Sequence, residues 1–210
     1  MGANLQLTFP QGEYQSNFPK TGVGLRVNIM HRLKDDGPLS LGGEIGFLVT
    51  GSDSRLFDMY YGGYYDTYKV SASNNVFSLA FKARADLVDR ERPLQLFLVG
   101  TVGTNLFYSA VSVERQSYFG GSQYVGGDNS KGYWAFTWGP GIGLEFPIDK
   151  RKQAALSFTT SYLLGANTTY LTDPYVDGNG DVYFNRHESK TDMILLELGV
   201  RFSLSKKRRR

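Results

Sequence analysis

Apolar and polar residues alternate with a period of two along most of the chain, whereas the 3.6-residue period of an amphipathic helix is nearly absent. Eight alternating segments predict eight β-strands: Gly2–Phe9, Gly22–Leu33, Leu39–Thr50, Asn75–Val88, Leu94–Ala110, Gly132–Ile148, Ala154–Leu171 and Thr191–Ser205. In the second, Val23, Leu25, Val27 and Ile29 alternate with Gly24, Arg26, Asn28 and Met30. In the last, Ile194, Leu196, Leu198, Val200, Phe202 and Leu204 alternate with Leu195, Glu197, Gly199, Arg201 and Ser203. The connections alternate as well. Those after the second, fourth and sixth segments are short, as in Lys34-Asp35-Asp36-Gly37-Pro38, while the others are long and rich in Gly, Ser, Asp, Asn and Tyr. Short turns on one rim and long loops on the other are the layout of an up-and-down antiparallel transmembrane β-barrel. No linker divides the chain, so a barrel over residues 1–205 and a basic tail over 206–210 is expected.

The direction of the apolar face separates two barrels. A soluble eight-stranded barrel points its apolar residues inward around a ligand. Here one face is almost free of charge, and the other carries Arg26, Glu44, Lys82, Arg84, Asp86, Glu145, Glu197 and Arg201. Four bases and four acids can neutralise one another inside a barrel. The uncharged face of the sixth segment runs Trp134, Phe136, Trp138, Pro140, Ile142, Leu144, Phe146 and Ile148, more apolar positions than one face of a soluble core usually supplies. Aromatic residues near strand ends suit a water–lipid boundary. Tyr108, Trp134 and Tyr162 are placed at one boundary, Phe146 and Phe202 at the other.

Composition removes several chemistries. The 210 residues include no Cys, so disulfides, thiolate metal sites and cysteine nucleophiles are excluded. No apolar run approaches the roughly 20 residues of a membrane helix. The opening residues lack the charged and apolar regions of a secretory signal. The net charge of +3 conceals an axial polarity: the short-turn rim with Lys206-Lys207-Arg208-Arg209-Arg210 is basic, and the long loops are acidic.

Glu197-Leu198-Gly199-Val200-Arg201-Phe202-Ser203-Leu204 resembles the C-terminal signal read by the barrel-assembly machinery of outer membranes, with Glu197, Gly199, Phe202 and Leu204 at the matching positions. It departs in the basic residues that follow. Together with Phe18-Pro19-Lys20-Thr21-Gly22-Val23-Gly24-Leu25, Leu39-Ser40-Leu41-Gly42-Gly43-Glu44-Ile45-Gly46 and Trp138-Gly139-Pro140-Gly141-Ile142-Gly143-Leu144-Glu145, it makes the chain similar to small eight-stranded outer-membrane β-barrel proteins of the Bacteroidota type, in the size class of OmpX and the OmpA transmembrane domain. The resemblance implies a Gram-negative outer membrane, termini and short turns in the periplasm, long loops at the cell surface, and export by a signal peptide since removed. It implies outer-membrane lipid and the assembly machinery as partners, and no particular activity.

An eight-stranded barrel is just wide enough for side chains to fill. The eight charged residues are therefore expected to form a structural ionic plug, the alternative being a narrow path for small polar solutes. The function expected is non-enzymatic: structural, or exerted through exposed loops, or as an accessory subunit of a larger outer-membrane complex. Tyr60, Tyr61, Tyr64, Tyr65 and Tyr68 offer contact area at low entropic cost, as in adaptable binding surfaces. They equally suit a hairpin that rises above the membrane.

Asp177, Asn179, Asp181 and Glu188 have the spacing of a calcium loop, although Val182 stands where the sharp turn requires Gly. Turn-forming Asp-Gly and Asn-Gly pairs account for the same residues. Apart from calcium, no cofactor is expected. A membrane lipid-modifying enzyme is a remote alternative, because His31 and His187 are the only histidines, and strand alternation turns Glu188 away from His187 and Ser189. Nucleic acid is not expected, since the Tyr-rich loop is acidic.

Overall fold

The computed structural model describes residues 1–34, 37–61, 64–88, 93–116, 122–129, 132–149, 153–179 and 181–203, the side chains of 59–61, 64, 65, 129 and 174 excepted. The described elements are β1 (Gly2–Pro10), α1 (Gly12–Asn17), β2 (Gly22–Arg32), β3 (Leu39–Tyr61), β4 (Tyr64–Asp86), β5 (Gln95–Gln116), β6 (Ser122–Asn129), β7 (Tyr133–Pro147), β8 (Ala154–Gly165), β9 (Asn167–Val176), β10 (Val182–Lys190) and β11 (Met193–Phe202). Strands β1, β2, β3, β4, β5, β7, β8 and β11 pair antiparallel in that order, and β11 returns to β1, closing an eight-stranded ring. Closure removes every unpaired sheet edge, the condition for strands to cross a bilayer.

Period-2 alternation sets the wall. Neighbouring strands place Gly43, Phe81, Val102 and Trp138 side by side on the outside. Phe81 is 73% exposed, Leu25 63%, Trp134 56% and Phe136 55%. Such exposure around a whole barrel is far beyond the apolar patch a water-soluble monomer tolerates. Trp134 and Tyr162 stand exposed near one end of their strands, Phe146 and Phe202 near the other. The interior alternates with this belt and is mostly polar, with Gln6, Arg26, Glu44, Lys82, Arg84, Glu145 and Glu197 buried.

The long loops differ from the simple connections expected. β3 and β4 continue beyond the barrel as a paired hairpin to Tyr61 and Tyr64, and the outer half of β5 pairs with β6. The expected seventh strand stops at Gly165; residues 167–176 leave the wall and pair with β10. The corner is pinned by Asp192, whose Oδ1 accepts from the Gly165 N–H at 2.9 Å and whose backbone carbonyl accepts from the Gln11 N–H at 2.8 Å. A non-Gly residue in the left-handed region, Asp173 at φ 46°, marks the irregular register of that hairpin. On these extensions exposed Ser52, Ser54, Arg55 and Asp58 break up the apolar positions such as Leu56, so no continuous apolar belt announces them. α1 is too short to leave a periodic signal; it forms because Tyr14 and Phe18, four residues apart, bury together.

Candidate functional site

The barrel lumen gathers the polar side chains, in layers set by strand register. At mid-height β2, β3, β4 and β11 supply Arg26, Glu44, Lys82 and Glu197. Arg26 Nη1 meets Glu44 Oε1 at 2.5 Å, Lys82 Nζ meets Glu44 Oε2 at 2.5 Å, and Lys82 Nζ meets Glu197 Oε2 at 3.0 Å. Arg26 Nε donates to Gln6 Oε1, and Gln6 Nε2 donates onward to the Phe47 carbonyl. Nearer the short turns lies a second cluster. Arg84 donates to Glu145 at 2.6 Å and to Asp86 at 2.7 Å; Arg32 pairs with Asp86 at 2.7 Å, and Arg201 pairs with Glu145. The Arg84 guanidinium also lies 3.8 Å from the Phe97 ring centroid, a cation–π contact in a site away from bulk water. Pairing and hydrogen bonding are what make so many buried charges tolerable.

Small residues make room for larger ones in the lumen, as Gly46 does for Arg26, whose Cγ a Cβ there would meet at 2.8 Å. A Cβ on Gly143 would come within 2.2 Å of the Phe97 ring, and one on Gly199 within 1.9 Å of Asn4. Above the ions the lumen is neutral: Ser78 donates to Asn105 at 2.8 Å, and Ser109 to Asn74 at 2.6 Å. An aromatic cap closes the hairpin end. The Tyr14 ring stacks on Phe18 at 6.3 Å and meets Phe107 and Tyr170 edge-on at 6.2 and 5.0 Å. Leu48, Val76, Ala135, Leu163, Met193 and Leu195 complete the cluster. Asn17 Nδ2 donates to the Tyr170 hydroxyl at 3.1 Å, and that hydroxyl bonds Ser189 Oγ at 2.7 Å. Burial, with Tyr170 adding to it, raises the Tyr14 phenol above its ordinary pKa. On the rim, desolvation opposes ionisation of Asp173, but Lys20 Nζ at 3.0 Å holds its carboxyl below the usual range. A void of about 10 Å³ adjoins the cap, and one beside the ionic clusters is about 50 Å³.

All eight charged residues singled out in the sequence meet in this lumen. Arg201 is the outermost, with its side chain 27% exposed. Alternation could not reveal Arg32 or Gln6 as members, because one sits at a strand end and the other is uncharged. The cap leaves no signal in the alternation, because Tyr14 and Phe18 lie in the connection between the first two alternating segments. Of the terminal signal, Glu197 pairs with Lys82, Gly199 packs against Asn4 of β1, and Phe202 faces outward. Leu204 lies outside the described residues, as does the 206–210 tail.

The calcium arrangement is not formed. Asp177 Oδ1 is engaged with the Asn179 and Asp181 N–H groups at 2.8 and 2.9 Å, closing a turn. Glu188 pairs with Thr169 well down extended β10, about 23 Å from Asp181 at roughly 3.3 Å per residue. Its Oε1 instead accepts from Asn167 at 3.2 Å. A hairpin cannot bring the twelfth position back over the first, as a calcium loop must. No group of three or more acidic or histidine side chains placed to hold a metal occurs among the described residues. Calorimetric titration with calcium is expected to give no binding heat.

Tyr60 faces Tyr65, and Tyr61 faces Tyr64, at the far end of the β3–β4 hairpin; their side chains lie outside the described residues. Tyr68 sits on the same hairpin opposite Phe57 and Arg115. His31 lies on β2 opposite Leu41. His187 stacks on Tyr170 at 6.1 Å, and Ser189 bonds the same tyrosine, which places both in the cap's support.

A closed eight-stranded barrel, apolar toward its surroundings and charged within, defines a β-barrel membrane protein of the outer-membrane type. No protein-family model matches the chain, and no curated protein matches it. Among solved structures it is similar to Neisserial surface protein A, with 12% identity over 96% of this chain and 94% of that one at a TM-score of 0.49. It is also similar to a major outer membrane protein of Thermus thermophilus, with 13% identity, 95% and 97% coverage and a TM-score of 0.43. For Ail, the attachment invasion locus protein of Yersinia pestis, identity is 14%, coverage 95% and 92%, and the TM-score 0.36. At such identities the likeness carries no functional meaning for this chain.

Proposed function

We propose that the chain is a non-enzymatic outer-membrane barrel whose lumen is closed, and that it acts structurally or through the hairpins above one rim, as an accessory subunit of a larger assembly. One observation carries this reading. The lumen is blocked twice, by ion pairs whose acids are 1–5% exposed and by the aromatic cap, and the void beside the lower ion pairs is about 50 Å³. A solute path would need a continuous opening through both. The basic short-turn rim is taken as the periplasmic side, with the termini there, and the hairpins as the cell-surface side. The barrel-assembly machinery and outer-membrane lipid are its partners in biogenesis, and the Tyr-rich hairpin is the contact surface for a protein partner.

In planar lipid bilayers the purified protein is expected to give no sustained conductance. A steady porin-like current would overturn the closed lumen in favour of a narrow channel. Copurification from native membranes in mild detergent tests the subunit role, because a chain that always elutes alone contradicts it.

A further inference from the structure

The lower ionic cluster is not balanced. Arg32, Arg84 and Arg201 face only Asp86 and Glu145 there, whereas Arg26 and Lys82 are matched by Glu44 and Glu197. Among the described residues the interior thus holds one positive charge more than its carboxylates cancel. The cavity of about 50 Å³ lies beside this excess. Lys82, Arg84 and Arg201 line it against a single carboxylate, Glu197, with Asn28 and Thr159 as neutral donors. Arg84 is 7% exposed, and its Nη2 has no hydrogen-bond partner, although Nε and Nη1 are both engaged. An unsatisfied guanidinium nitrogen in such surroundings carries the full desolvation cost of a charged donor.

We propose that this cavity is a binding site for one small monovalent anion of halide size, held by Arg84 Nη2 between Lys82 and Arg201. One surplus positive charge calls for one negative charge, which selects a monovalent ion. The volume suits a small ion, since about 10–15 Å³ of such space already admits one water and the cavity offers about 50 Å³. Arg201 provides the way in: it is the partly exposed member, on the strand pair where Gly2 faces it and leaves the wall without a side chain. The ion joins the surplus charge to the paired clusters and so locks the plug.

The test uses the full chain in detergent, crystallised and soaked in sodium bromide, with thermal unfolding compared in bromide and in gluconate at equal ionic strength. Expected are one anomalous bromide peak within hydrogen-bonding reach of Arg84 Nη2 and an unfolding midpoint higher in bromide than in gluconate. Asn28→Phe, which extends a larger side chain into the cavity, is expected to remove both. Arg201→Gln, which removes the surplus charge, is expected to weaken bromide binding by about tenfold or more, because hydrogen bonds to charged groups are the stronger ones. Solvent alone in the cavity overturns the proposal. So does bromide stabilisation that survives in both variants, or a peak at crystal concentration without any shift of the midpoint.

Discussion

Replacing Glu145 by alanine is expected to cost the folded barrel about 3–5 kcal/mol, the usual penalty for removing one partner from a buried ion pair. Glu145 is fully buried and is the shared acceptor of Arg84 and Arg201. Its removal leaves Arg84 with Asp86 alone and Arg201 with no carboxylate among the described ion pairs. The measurement is urea-induced unfolding in lipid bilayers, followed by tryptophan fluorescence from Trp134 and Trp138. The double variant Glu145→Gln/Arg201→Gln keeps a hydrogen-bond acceptor for Arg84 and deletes the stranded charge, so it is expected to recover much of the loss. A single-variant cost under about 1 kcal/mol, the range of exposed ion pairs, would mean that the lumen is water-filled and screened.

The aromatic cap is expected to matter nearly as much for stability and not at all for conductance. Phe18 is 1% exposed and Tyr14 4%, in the cluster that seals the hairpin end. Truncating a core aromatic to alanine costs about 3–5 kcal/mol, so Phe18→Ala is expected in that range, with Tyr14→Ala close to it. Yet neither variant should open the barrel, because the ion pairs lie below the cap and close the lumen independently. A steady current through Tyr14→Ala/Phe18→Ala would show the cap to be the only barrier. The cap also has a pH signature. The Tyr14 phenol is raised in the folded state, so its contribution is complete below the ordinary phenol pKa of about 10 and is lost as pH climbs beyond it. Loosening of the cap is therefore expected only in strong alkali, and Tyr14→Phe should remove that dependence.

Much of the fold is legible along the chain. The apolar row from Trp134 to Ile148 declares the lipid face of β7. The interleaved Ala135, Thr137, Gly139, Gly141, Gly143 and Glu145 declare its inner face, and in a strand one face implies the other. The same logic puts eight charged residues in the lumen without any knowledge of their contacts. It could not place Gln6, since a single uncharged amide on the inner face carries no weight in an alternation pattern. It could not separate a paired hairpin from a loop above the membrane either. There the outer face of β4 changes from Phe77 and Leu79 to Ser71 and Ser73, the contrast between faces fades, and backbone pairing alone continues the strand.

The calcium spacing failed for a related reason. Spacing describes distance along the chain, and the meaning of that distance depends on the conformation of the chain between the ends. Seven residues coiled around an ion return Glu188 to Asp181, whereas seven residues in β10 carry it away.

Strand number, the lipid-facing surface and the signs of the interior charges belong to the sequence itself, because a period of two needs no partner to be read. Which carboxylate meets which base, the surplus charge beside the small cavity, and the folding of a six-residue helix into an aromatic seal were decided only by closure. Register around the ring brings residues more than 100 positions apart, such as Lys82 and Glu197, to hydrogen-bonding distance. No local pattern records such a separation, since it comes from the stagger of every strand between them.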